Sequence, residues 1–169
     1  MDEVYLKRQL ALNRDRVAAL ARGISEDHIR WKPDDESWSI LEVVCHLADE
    51  EEFDFPVRLQ MILEKSEKPW PEIDPEGWIT GHNYDDKDLF DTLSRYMDLR
   101  NQALAWLASL ENPDWDIVYQ APFGAIRAGD IFVSWATHDL LHIRQLVELH
   151  RGYLVEQAVP YRLDYAGEW

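Results

Sequence analysis

The chain has 169 residues and a formal net charge of −16, with 17 Lys and Arg against 33 Asp and Glu, and it holds eight Trp, seven Tyr and five Phe. So negative a balance excludes a broad phosphate-binding surface, because nucleic-acid affinity rests mainly on Lys and Arg displacing counterions, and it equally opposes docking on anionic membranes. The length suits one domain, spanning residues 1–169, that can bury an aromatic core without disulfide or metal staples.

The first helix is expected from about Val4 to Arg22, with Leu6, Leu10, Val17 and Leu20 at three- and four-residue spacing and Gly23 as its stop. A connector with Trp31, Pro33 and the acidic Asp34-Asp35-Glu36 follows. Ser39 and Glu42 then form a Ser-x-x-Glu capping box that opens a second helix, reaching about Lys65 with a kink near Pro56. Residues 66–84 hold Pro69, Pro71, Pro75, Gly77 and Gly81, too much helix-breaking chemistry for a regular element, and read as a long crossover. A third helix is expected from Asp85 to Leu110, carried by Leu89, Leu93, Leu99, Ala103, Trp106 and Leu110 and ended by Pro113. Ile117, Val118 and Tyr119 before Pro122 and Gly124 give a weak hairpin signal. The fourth helix is expected from Asp130 to His150, before Gly152, and the last 17 residues, with Pro160 and Trp169, are expected to pack back over the bundle. The class is therefore all-α. A long connection between the middle two helices lets them run parallel, so the expected order is an up-down-down-up four-helix bundle.

Cys45 is the single cysteine and cannot form an internal disulfide, and Met1 to Lys7 lack the apolar run of a signal peptide. Charges interrupt every hydrophobic segment well short of the roughly 18 residues that cross a bilayer. A soluble protein of the reducing cytoplasm is the expectation.

His138 and His142 stand four apart, so on a helix they share one face, among Ile131, Trp135, Leu146 and Leu149. Two imidazoles in apolar company need hydrogen bonds or a metal, and the spacing alone leaves both open. An open catalytic metal site typically takes three protein ligands. His46 is the first candidate for the third, sharing its helix face with Glu42, Asp49, Glu50 and Phe53; the competing reading is an exposed histidine on an acidic stripe. His82 in the crossover is the alternative, while His28 and His150 read as connector and helix-end residues, His150 lying near a helix C-terminus.

Trp38-Ser39-Ile40-Leu41-Glu42-Val43-Val44-Cys45-His46-Leu47 resembles the tryptophan-to-histidine signature of the second helix in the DinB/YfiT-like superfamily. His138-Asp139-Leu140-Leu141-His142-Ile143-Arg144-Gln145 is similar to that family's H-x-x-x-H-x-x-Q motif on the last helix. Asn83-Tyr84, Arg100, and Trp115 followed by Gly124 also fit, so the resemblance covers nearly the whole chain. The family's frequent extra histidine is absent, Leu141 standing in its place. The resemblance implies an up-down-down-up bundle in which His46, His138 and His142 hold one divalent ion, with zinc, nickel, iron and manganese all compatible with imidazole.

The resemblance further implies a metal-dependent enzyme acting on a small molecule, with family members often homodimeric. Activation of a low-molecular-weight thiol for transferase or isomerase chemistry is the leading expectation. Hydrolysis by metal-activated water is the nearest competitor, and a non-enzymatic metal-binding bundle of the stress response is the third. Glu42, Glu50 and Gln145 are candidates to act beside the metal, with Asp49 on the same face and Asp139 flanking the ligand pair. Cys45 points about 100° away from His46 and is not expected as a ligand. A thiol substrate bearing carboxylates needs cations near the metal, for which Arg100, Arg127 and Arg144 are the candidates.

Overall fold

The computed structural model describes residues 1–169. Helix α1 spans Glu3–Ala21, opened by the Asp2 carboxylate accepting from the Tyr5 amide, and a five-residue helix α2, Glu26–Arg30, follows under a Ser25 cap. That short helix falls in what the sequence reads as plain connector. Helix α3 spans Ile40–Phe53, and its Ser39–Glu42 capping box forms in both directions. The expected single second helix breaks at Asp54, whose ψ of −96 is not helical, and α4 runs Phe55–Leu63. Pro56 in the first turn explains the position: its missing N–H costs nothing at a helix start and would cost a hydrogen bond inside one.

The crossover is not free of regular structure. Helix α5 spans Pro75–Gly81, with the Asp74 side chain capping the Gly77 amide. Of the residues read as breakers, Pro75 stands in the first turn, where its missing N–H costs nothing, and Gly81 is the last residue, where the helix has no further turn to hold. A 3₁₀ turn over Tyr84–Asp86 precedes α6, Leu89–Ser109, so the third helix starts four residues later than expected, at the Asp88 cap. Strands β1 (Val118–Ala121) and β2 (Gly124–Arg127) form the short antiparallel hairpin. Helix α7 spans Ala128–Gln157 and continues seven residues past the expected end. Gly152 does not stop it, because the missing side chain makes room for Trp31: a Cβ there would sit 2.6 Å from the indole Cη2. His150 is accordingly an interior helix residue, its Nε2 2.7 Å from the Leu20 carbonyl. The tail is exposed, and its Trp169 ring is covered by the Arg151 guanidinium.

Side-chain pairs fix the helix directions. Cys45 meets Thr92, Asp49 meets Arg95 and Glu51 meets Arg100, so α3 and α6 run parallel. Asn13 reaches Ala136 and Asp139 while Leu20 meets His150, so α1 and α7 are parallel too. Trp135 bonds to Glu51 and His142 lies by His46, which sets α7 against α3. The bundle is all-α in class and up-down-down-up.

Its core is divided. One apolar cluster joins Val17, Val43, Leu47, Tyr96 and Leu146, and the other joins Leu10, Leu59, Leu107, Phe132 and Trp135. Asn13 on α1, Arg100 on α6 and Asp139 on α7 are buried polar residues that fall between the two. Burying such groups is unfavourable unless each is paired. They are paired with one another, Arg100 donating to both Asp139 oxygens at 2.8 Å, to Glu51 at 2.6 Å and to the Leu10 carbonyl at 3.0 Å.

Candidate metal centre

The capped start of α3 at Ile40 places His46 on the helix's second turn, and the i, i+4 spacing on α7 presents His138 and His142 to it. Candidate ligand atoms of the three residues all lie within 4.8 Å of one another. The His138 and His142 Nε2 atoms are 3.3 Å apart, and the His46 ring centroid lies 4.7 Å from that of His142 and 5.6 Å from that of His138.

The ring states suit a cation. His142 Nδ1 donates to Gln145 Oε1 at 2.8 Å, which leaves the Nε2 lone pair facing the other two rings. Nδ1 of His46 and Nδ1 of His138 are buried without any hydrogen-bond partner. Burial first, then the neighbouring histidines, lowers the imidazole of His46 to about 3; burial and His142 lower His138 to about 4, and burial lowers His142 as well. Three neutral imidazoles on two helices, with unspent lone pairs, are the donor set a borderline divalent ion takes. Aromatic rings wall it: Trp38 lies parallel to His142 and edge-on to His46, Phe55 borders His138, and Trp78 borders His46.

Glu50 is the nearest carboxylate, its Oε1 3.5 Å from His46 Nε2. Burial, reinforced by the carboxylate of Asp54, raises it to about 9, so it holds a proton at neutral pH. Glu42 lies elsewhere, accepting from the Ser39 amide and from Lys32 at 2.7 Å each. Its place in the capping box is structural. Cys45 points into α6 toward Thr92, 3.9 Å away, and burial raises its thiol to about 11.

His82 does not join the three. As the C-cap of α5 it turns to Asp49, with Nδ1 and Oδ2 2.6 Å apart. The three arginines offer no free cation at the triad either. Arg100 is wholly buried on Glu51 and Asp139, Arg127 pairs with Asp130 and Asp116, and Arg144 pairs with Glu148 on the surface. Asp139, expected merely to flank the ligand pair, is the bidentate partner of Arg100 instead. Its signal lay in the sequence only as an acid beside His138, with nothing to say which helix would answer it.

The family model of the DinB superfamily matches residues 9–146. The chain belongs to the DinB superfamily. No curated protein shows significant similarity to it. Among solved structures it is similar to YfiT from Bacillus subtilis, described as a probable metal-dependent hydrolase with an unusual four-helix bundle topology. The TM-score is 0.78 at 18% identity, over 88% of this chain and 86% of that one. At that identity the likeness speaks for the fold. No helix is long and apolar enough to cross a membrane.

Proposed function

We propose that this DinB-superfamily protein, one helical-bundle domain over residues 1–169, is a metal-dependent hydrolase of a small molecule, with His46, His138 and His142 as the ligands of one divalent ion. The carrying observation is the convergence of three neutral imidazoles, two buried and His138 half-buried, with ligand atoms within 4.8 Å of one another. Such an ion, when bound, supplies Lewis acidity and lowers the pKa of water toward neutrality. The chain's own part is to hold the imidazoles in register: Gln145 fixes the His142 tautomer, and the rings of Trp38 and Trp78 keep bulk water from the back of His46. Glu50 is the group beside the site able to hold and return a proton.

Hydrolysis is preferred over thiol transfer because every arginine that would bind a thiol's carboxylates is committed elsewhere. The enclosure of His46 and His142, 3% and 5% exposed, favours a second reading, a bundle that binds metal without turnover. The reducing cytoplasm is the setting that the lone Cys45 suits, and a homodimer is what the family resemblance suggests.

Elemental analysis of protein purified without a histidine tag, beside His138→Ala, tests the centre. Near one equivalent of metal in the parent and its loss in the variant are expected. No metal in either protein, even after incubation with zinc, nickel, iron or manganese, refutes it. A screen of generic ester and amide substrates on the loaded protein then separates the hydrolase from the non-catalytic bundle.

A further inference from the structure

Asp49 lies three residues beyond His46 on α3, toward the end of α5 and toward α6. Its carboxylate is 2% exposed and receives the Tyr84 hydroxyl on Oδ2 at 2.6 Å, Arg95 on Oδ1 at 2.7 Å and His82 Nδ1 on Oδ2 at 2.6 Å. Arg95 on Oδ1 and the Tyr84 hydroxyl on Oδ2 make both carboxylate oxygens acceptors. With both oxygens accepting, Nδ1 of His82 is the donor in its contact with Oδ2, and in the neutral imidazole the Nε2 lone pair is left free. The ring's hydrogen bond within the fold is the one through Nδ1.

The His82 imidazole is 36% exposed and lines a cavity of about 570 Å³ between α3, the turn after α5, and α6. That volume lies within the range of small-molecule sites. Trp78 lies nearly parallel to the ring, at 13° and 5.8 Å, and Phe53 borders it, so the imidazole is held at the cavity wall. Of the charged groups in the same wall, Arg95 is taken up by Asp49 and Glu52, while Asp91 stands without an ion-pair partner. Lys87, likewise without one, is the cation available to a developing oxyanion.

We propose that His82, oriented by Asp49, is a catalytic general base that hydrolyses small esters bound in this cavity, at a site separate from the three histidines. Nε2 takes a proton from water, and the water oxygen bonds to the acyl carbon. The acyl C–O bond breaks with its electron pair going to the alcohol oxygen, which takes the proton back from His82. Asp49 stabilises the imidazolium that exists between the two transfers. The proposal goes beyond the metal-centre reading and does not depend on it.

The probe is 4-nitrophenyl acetate, given to the full-length protein as purified and again after chelation. Its hydrolysis is expected to survive chelation, to fall at least about tenfold in His82→Gln and in Asp49→Asn, and to be unchanged in the control His150→Gln. Nitrogen NMR of the imidazoles is expected to show His82 as the Nδ1–H tautomer in the parent. Circular dichroism verifies folding of Asp49→Asn; should that variant unfold, His82→Gln, altered at a half-buried position, decides alone. An unchanged rate in His82→Gln, a rate abolished by chelation, or an Nε2–H tautomer overturns the assignment. Elemental analysis of His82→Gln is expected to match the parent, so failure of this site and failure of the metal centre read out separately.

Discussion

Glu50 and the three histidines titrate out of their usual ranges in opposite directions, and metal uptake carries both signatures. Depressed imidazoles, about 3 for His46 and about 4 for His138, stay unprotonated well below 6.5, where protons would compete with a metal for an ordinary histidine. Glu50, raised to about 9, is protonated in the metal-free protein, and a cation at the triad favours its ionised form. Binding below pH 9 therefore releases a proton, and affinity should rise with pH through 6 to 9, by at most about tenfold per unit. Titration against a chromophoric chelator is expected to show that rise, and Glu50→Gln is expected to flatten it. In the metal-free protein the lowered imidazoles contribute stability that is present above pH 6.5 and lost as pH falls through their folded values, because the unfolded chain takes up protons first. Cys45 gives a simpler check at the same scale. Buried and raised to about 11, its thiol should resist Ellman's reagent at pH 8 in the native protein and react at once in denaturant.

At the scale of elements, the contact between α2 and α7 turns on Gly152. Placing a methyl group 2.6 Å from Trp31 Cη2 forces apart a packed pair that is also tied by the Trp31 indole to Glu156 at 2.6 Å. Gly152→Ala should therefore destabilise by about 1–3 kcal/mol, against a helix-propensity gain of about 1 kcal/mol. In a Trp31→Ala background the clash is gone and the same substitution should stabilise by about 1 kcal/mol. Urea denaturation of the four proteins measures this change of sign. The glycine also shows where sequence reading stops. The long helices are legible because Leu6, Leu10 and Val17, or Leu89, Leu93 and Leu99, repeat with the helical period. Helix α7 reads seven residues short because the reason for Gly152 lies in Trp31, more than 100 residues away. Helix α5 is missed because Pro75 and Gly81 break a helix interior but suit its ends. The candidate site divides in the same way. His138 and His142 are visible as an i, i+4 pair, and His46 enters through a family motif. The Asp49–His82 pair has no spacing to betray it, because it forms only when the crossover folds back on α3.

Across the whole molecule the charged layer between the two apolar clusters ties α1, α3, α6 and α7 through one side chain. Arg100 carries a single positive charge, yet it is 0% exposed and faces Glu51 and Asp139, so the layer is short of positive charge if both acids are ionised. Burial raises Glu51, while the Trp135 indole at 2.7 Å and Arg100 draw it back toward the anion. A buried ion pair of this kind adds little or no net stability over a well-packed apolar core, but removing one partner strands the other. Arg100→Met fills much of the same volume and strips Asp139 and Glu51 of their counter-charge, leaving them only the neutral donors Asn13 and Trp135, which should cost about 3–5 kcal/mol in urea denaturation. Arg100→Lys keeps the charge and loses the two-pronged geometry on Asp139, so it should recover only part of that loss. A triple variant, Arg100→Met with Glu51→Gln and Asp139→Asn, removes the stranded charges and should be more stable than Arg100→Met alone. If the single and triple variants are equally unstable, the cost lies in packing around Tyr96 and Trp135, whose rings the guanidinium covers, rather than in uncompensated charge. Because Asp139 adjoins His138, the same series followed by metal analysis shows whether this layer holds the α7 histidines in place: Arg100→Met should weaken metal retention, and the triple variant should restore part of it.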